Sequence, residues 1–252
     1  MCDKKDRIKR AFNRSAKYYD HNCLLQFSVA TNLIDLIKIK KNTFDSVIDV
    51  GCGTGLVTQY LKSKIVCNQL FALDISDESL RLASVRLNGD ILIESSFENI
   101  PLVDESVDLV FSNMSFHWSG DLMKTIQESY RILKPGGLLA FSIPSKETFK
   151  EIRLSIEKLG VPNFLNDFIE SSDLRDMLNN FRIIDVVNVN YTFYYRSIYA
   201  LIKSIKNMGA NQILHNAHRR SSKADFEKLD NSYPDRKIPL NYEILCCLAV
   251  KQ

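Results

Sequence analysis

The chain has 252 residues, 45% hydrophobic and 25% charged, with a formal net charge of +3. That composition excludes a disordered or collagen-like chain and suits one domain with a large core, or a domain with a lid. No apolar run approaches the ~20 residues of a membrane span, and residues 1–7 carry no apolar signal core, so a cytoplasmic protein with no membrane attachment is expected. The six cysteines fall at 2, 23, 52, 67, 246 and 247, without the C-x-x-C spacing of a zinc or redox site. Free thiols and no metal are therefore expected.

In chain order, residues 4–19 and 24–39 read as two helices; in the second, Leu25, Val29, Leu33, Leu36 and Ile37 recur at helical spacing. A buried strand at 46–50 runs into a loop with Gly51, Gly53 and Gly55. A helix follows, and a second strand at 70–74 ends on Asp74. A helix at 77–87 starts from a Ser76 cap, followed by strands near 91–94 and 107–112, a helix at 121–133 and a strand at 138–143. The alternation implies a parallel sheet with helices on both faces. Beyond Pro144, helices are expected at 146–159, 171–179, 197–207 and 222–229, and strands at 182–195 and 240–250.

An apolar strand, a glycine loop, a helix and an acid closing the next strand make a nucleotide-binding βαβ unit. Glycines let the backbone approach a ligand where a Cβ would collide, and an acid at Asp74 can accept from both hydroxyls of a ribose. The spacing departs from the dinucleotide fingerprint, because Leu56 stands where its third glycine belongs. Asp49, just before the glycines, would repel a pyrophosphate and suits a cationic ligand. A dehydrogenase is thereby disfavoured.

Residues 46–55 and Asp74 resemble the first motifs of the class I S-adenosylmethionine-dependent methyltransferases. Residues 104–113 resemble that family's fourth-strand motif, with Val107 in place of the usual Phe, and residues 128–137 resemble its helix-to-strand turn around Pro135-Gly136. Ser96 stands where an Asp commonly contacts the adenine amino group. The resemblance implies a Rossmann-like seven-stranded sheet, mostly parallel with an antiparallel last strand, in a single domain over 1–252. It implies S-adenosylmethionine as cofactor, held by Gln26, Asp49, Gly51, Gly53, Gly55, Asp74, Ile75, Ser96, Phe97 and Asn113. Residues 1–40 would form a helical cap and residues 196–237 a helical lid.

The flanking segments narrow the resemblance. Residues 11–26, the lid run 201–210 and the ending 238–245 are each similar to segments of the bacterial malonyl-acyl carrier protein O-methyltransferases of early biotin synthesis. The implied reaction is methylation of the free carboxylate of a malonyl thioester on an acyl carrier protein. A carrier protein is acidic, and residues 1–20 hold seven Lys/Arg against three acids, residues 196–237 nine against four. Basic patches of this kind attract acidic partners, while the aromatic–basic interleaving that favours nucleic acid is missing. A monomer is expected.

A malonyl carboxylate is ionised at neutral pH, so catalysis should rest on positioning and partial desolvation rather than on a general base. Tyr19 and His117 are the catalytic candidates: the resemblance implies that the N-terminal helix bearing Tyr19 caps the cofactor pocket, and His117 follows the fourth strand, whose C-terminal end faces the ligand crevice. Trp118, Arg153, Lys203 and Lys206 are candidates for the substrate or carrier protein. His215 and His218 lack the partners a metal site needs. A methyltransferase for another small acceptor, or a methyltransferase-like assembly factor for a respiratory complex, would share the cofactor motifs. A carboxylate acceptor calls for basic residues around the pocket, a quinone precursor for an apolar one.

Overall fold

The computed structural model describes residues 4–207 and 221–252. Seven strands form one sheet in the order β3-β2-β1-β4-β5-β7-β6. The strands are β1 (Thr43–Val50), β2 (Val66–Asp74), β3 (Ile91–Glu94), β4 (Val107–Asn113), β5 (Leu133–Pro144), β6 (Phe181–Tyr195) and β7 (Ile238–Lys251). All neighbours pair in parallel except β7, which runs antiparallel to both β5 and β6. The central strands β1, β4 and β5 are buried on both faces, as helices on both sides require.

The strand order reverses between β1 and β4, and the C-terminal ends of such strands open the ligand crevice of a parallel sheet. That topological switch positions everything that follows. Helix α3 (Leu56–Lys64) leaves the glycine loop after β1, and α4 (Asp77–Arg86) leaves β2. The Ser76 Oγ accepts from the Ser79 N–H at 3.1 Å, so the cap sits where the sequence places it. A 3-10 turn, Phe116–Trp118, follows β4, and α5 (Leu122–Ile132) leads into β5.

Two helices precede the sheet, α1 (Lys4–Tyr19) and α2 (Leu24–Lys40). Helix α2 buries the row Leu25, Val29, Leu33 and Ile37 against the core. Helix α1 lies over the crevice and packs against α4. Polar bonds register it there: Asn13 donates to Asp77 at 2.9 Å and accepts from the Ser76 hydroxyl at 2.7 Å, and Lys9 pairs with Glu94 at 2.6 Å.

Beyond the sheet core lie α6 (Lys150–Leu159), α7 (Ser171–Met177), α8 (Ile198–Asn207) and α9 (Lys223–Asn231). Two local expectations are corrected. The Pro135–Gly137 turn lies inside β5, as an irregularity in its pairing with β4 between Val107 and Leu109. The helix expected from 146 starts at Lys150, because residues 145–149 bond outward instead: Ser145 N–H to Glu243 O, Lys146 N–H to Ile169 O and Phe149 N–H to Asn241 O. No described helix is long and apolar enough to cross a membrane.

Candidate active site

A cavity of about 650 Å³ opens at the switch point. Its floor is the glycine loop, where each of the three glycines stands for a different physical reason. Gly51 has φ +88, and a Cβ there would lie 2.4 Å from Ser115 Cβ, so the collision is with the chain after β4 rather than with a ligand. Gly53 has φ +55 and a Cβ would meet nothing within 4 Å; it alone of the three both lines the cavity and leaves open space. Gly55 caps α3, where a Cβ would press on Ala83 and Leu87 at 3.2 Å; it does not line the cavity.

Asp74 accepts from the Gly53 N–H at 2.9 Å and from the Ser76 N–H at 2.8 Å, which fixes its carboxylate beside the loop. Burial raises its pKa, against the pull of the Ser76, Gly53 and Ile75 N–H groups. Asp49 lies deeper, accepting from the Thr58 hydroxyl at 2.6 Å. Burial pushes its carboxyl up to about 7, against the Thr58 bond and with the help of the nearby Asp74 charge. Asp49 reaches a small side chamber of the loop that Tyr19, Gly51 and Asn113 also line.

Helix α1 supplies one wall through Lys5, Ile8, Phe12, Ser15, Ala16 and Tyr19. Its C-terminal end is clamped to the loop. Asp20 accepts from the Thr54 hydroxyl at 2.6 Å and pairs with Arg86, whose guanidinium also donates to the Thr54 carbonyl at 2.8 Å. Tyr19 is thereby held between the main cavity and the side chamber. Burial raises the pKa of its phenol, and the Cys23 thiol and Asp74, Asp20 and Asp49 act in the same direction. The hydroxyl is a neutral donor at any working pH.

His117 and Trp118 line the opposite side from the 3-10 turn. His117 keeps some surface open to the cavity, yet burial pushes its pKa down to about 3, so the ring is neutral. Its Nδ1 has no hydrogen-bond partner among the described residues. Trp118 packs edge-on against Phe12, joining the turn to α1.

Of the other residues singled out in the sequence, Gln26, Ile75, Ser96 and Phe97 line the cavity. Asn113 reaches only the side chamber, and its side chain is committed to structure: it donates to the Gln26 carbonyl at 2.9 Å and accepts from the Ser142 hydroxyl at 3.0 Å. Ser96 accepts from Lys5 at 3.3 Å, and that lysine also pairs with Glu98 at 3.0 Å. Burial opposes the Glu98 charge, but Lys5, the Gly120 N–H and the Ser119 hydroxyl together hold its pKa at about 2.

Arg153 is absent from this cavity. It bonds Asp167 at 3.0 Å and the Asn166 and Thr148 carbonyls, so it anchors the loop after α6 rather than reaching a substrate. Lys203 is exposed on α8, whose Tyr199, Ile202 and Ile205 face the cavity instead. The Lys206 side chain, His215 and His218 lie outside the described residues. Lys5 is therefore the one cation lining the cavity among the described side chains, and it is already paired. The basic pocket expected for a carboxylate acceptor is not what these residues build.

They build an aromatic chamber, which the sequence reading missed. Phe149, Phe164, Phe168, Tyr199, Phe226 and Tyr242 line it. Phe149 packs edge-on against Phe168 and Tyr242, and Phe164 and Tyr199 do so against Phe226. Phe149 has φ +68 and Met114, also on the wall, φ +52. Left-handed backbone at such residues is uncommon and clusters at functional sites. The legible signal was the density of aromatics at 149, 164 and 168 in a stretch otherwise read only as helix and loop.

The fold and this site define a class I methyltransferase. A family model described as "Methyltransferase domain" matches residues 48–141. A methyltransferase structure from Bacillus halodurans superposes with a TM-score of 0.64 over 88% of this chain and 99% of its own, at 19% identity. The malonyl-[acyl-carrier protein] O-methyltransferase 1 of Coxiella burnetii is 34% identical over 205 residues, covering 81% of this chain and 70% of that protein. The malonyl-[acyl-carrier protein] O-methyltransferase of Hamiltonella defensa is 28% identical over 245 residues, 96% of this chain and 93% of that protein. The chain belongs to the malonyl-[acyl-carrier protein] O-methyltransferase family.

Proposed function

We propose that this protein uses S-adenosylmethionine to esterify the free carboxylate of a malonyl thioester on an acyl carrier protein, an early step toward the pimeloyl chain of biotin. The observation that carries the reading is one continuous cavity that joins an acidic cradle to an aromatic chamber, with Tyr19 and His117 on its walls. The cradle fits the cofactor. Gly53 leaves room above the loop, Asp74 has lone pairs left for ribose hydroxyls, and Asp49 and Asp74 favour a cation. Ser96 and Phe97 would flank the adenine, and Gln26 the amino-acid end. When bound, S-adenosylmethionine supplies a methyl group activated by a sulfonium.

Although a basic pocket is the simpler expectation, the scarcity of cations among the described lining residues also suits a carboxylate that must react. A guanidinium on the nucleophile would stabilise it in the ground state, whereas an apolar wall strips its water and leaves the charge available. Tyr19, as a neutral donor, would orient one oxygen without protonating it. His117, neutral for the same reason of burial, would do so from the other side. No proton moves, because the carboxylate is ionised before it enters. A cytoplasmic location follows from a substrate made during fatty-acid elongation.

The aromatic walls also favour a second reading, a methyltransferase for an apolar acceptor such as a quinone precursor. Transfer of labelled methyl to malonyl-, acetyl- and unloaded carrier protein and to a hydroxylated quinone precursor separates the two. Labelling of the malonyl form alone supports the carboxylate reading. Labelling of the quinone precursor alone overturns it.

A further inference from the structure

Helix α1 has two functional faces. At about 100° per residue, Ile8, Phe12, Ser15, Ala16 and Tyr19 form the face that lines the cavity. Arg7, Arg10, Arg14 and Lys17 fall on the opposite side, three or four residues apart in one row, and all four are exposed. None of the four forms a salt bridge among the described residues. Arg14 bonds only the Arg10 carbonyl of its own helix, and Lys17 lies over the Tyr18 ring. The other described lysines of this helix behave differently: Lys5 pairs with Glu98, and Lys9 with Glu94 and Asp77. The helix divides its cations between those that hold it to the domain and a row left facing water.

Four like charges at i, i+3, i+4 spacing repel one another and destabilise an isolated helix, so the row calls for a compensating use. Resting on the functional reading above, we propose that the Arg7–Arg10–Arg14–Lys17 row is the docking surface for the acyl carrier protein, reading the acidic face of that partner. The placement fits the chemistry. A carrier seated on the row lies one helix width, about 10 Å, from the face of α1 that lines the cavity, a distance shorter than an extended pantetheine arm. The row also adjoins the element that carries Tyr19, so docking bears directly on the wall of the site. Charge rows of this kind act mainly on encounter and KM, and their effect is screened by salt.

The test uses the full chain and two substrates that share the reacting group, malonyl-carrier protein and malonyl-pantetheine. R10E/R14E should raise KM for the carrier substrate at least tenfold, leave kcat within twofold, and leave malonyl-pantetheine kinetics unchanged. In the wild type, raising salt from 50 to 500 mM should raise KM for the carrier substrate alone. R182E/K64E, the same charge change at exposed residues outside both basic segments, should behave as wild type. Equal KM values for wild type and R10E/R14E on carrier substrate would overturn the docking surface while leaving the reaction intact. Failure of the wild type to methylate either substrate would instead refute the functional reading, and the surface with it.

Discussion

The three glycines of the loop can be separated experimentally, because the structure gives each a different neighbour. Gly53→Ala places a methyl in open cavity space at φ +55. The left-handed conformation costs an L-residue about 1–2 kcal/mol, which in a domain of this size lowers Tm by roughly 2–8 °C. On the proposed reading the methyl would stand where the cofactor binds, so affinity for S-adenosylhomocysteine should fall tenfold or more. Gly55→Ala carries the same strain at φ +78 and adds tight contacts at 3.2 Å to Ala83 and Leu87. It should lose stability at least as much but bind S-adenosylhomocysteine within threefold of wild type. Gly51→Ala should lose both, because the 2.4 Å overlap with Ser115 adds about 1–3 kcal/mol of overpacking. Thermal unfolding and titration calorimetry on the three variants read the two quantities independently. A Gly55→Ala protein that binds the ligand as poorly as Gly53→Ala at equal stability would refute this division of roles.

Other predictions concern the walls. Tyr19→Phe should cut methyl transfer at least tenfold while changing S-adenosylhomocysteine affinity less than threefold; equal loss of both would remove its catalytic assignment. Asp20→Ala and Arg86→Ala should be coupled by about 1–2 kcal/mol in a double-mutant cycle of unfolding, the range for a part-exposed charge-assisted bond, and additivity would show that the clamp does not hold. Asp49 has its folded pKa raised to about 7. Its contribution to stability is thus largest at low pH and is lost as pH rises from about 4 through 7. A cationic ligand favours the ionised form, so S-adenosylmethionine affinity should rise between pH 6 and 8, and Asp49→Asn should flatten that slope in a calorimetric pH series.

Much of the fold was readable because its signals are local. The strand–glycine–acid unit, the Ser76 cap and the apolar row of α2 each depend on residues within a few turns of one another, and each stands where expected. The placement of the cradle residues was readable for the same reason, since Asp49, Gly53 and Asp74 come from one βαβ unit. The misreadings concern residues whose roles are set by distant partners. Arg153 looked like an anion ligand because nothing near it in sequence reveals that Asp167 and the Asn166 carbonyl engage it. Helical periodicity places Phe149 inside a helix, whereas its N–H bonds the Asn241 carbonyl, far along the chain, its backbone is left-handed and its ring lines the cavity. The aromatic chamber gathers rings from the segment after β5, from α8 and α9 and from β7, and no periodicity links those segments. Gly51 lines the cavity as its place in the loop implies, and it must also clear Ser115, 64 residues away, a constraint no local signal carries.

The central claim is that the cavity delivers a methyl group to a carboxylate oxygen. Mass spectrometry of carrier protein bearing the malonyl group through an amide in place of the thioester, so that mild alkali cleaves only a methyl ester, tests it most directly after incubation with the protein and S-adenosylmethionine, with alkaline treatment of half the sample. The expected result is a gain of one methyl on the malonyl group that alkali removes, and no gain on the acetyl form. A methyl that survives alkali, or one that appears equally on the acetyl form, would place the transfer on carbon or on the carrier itself and contradict the account.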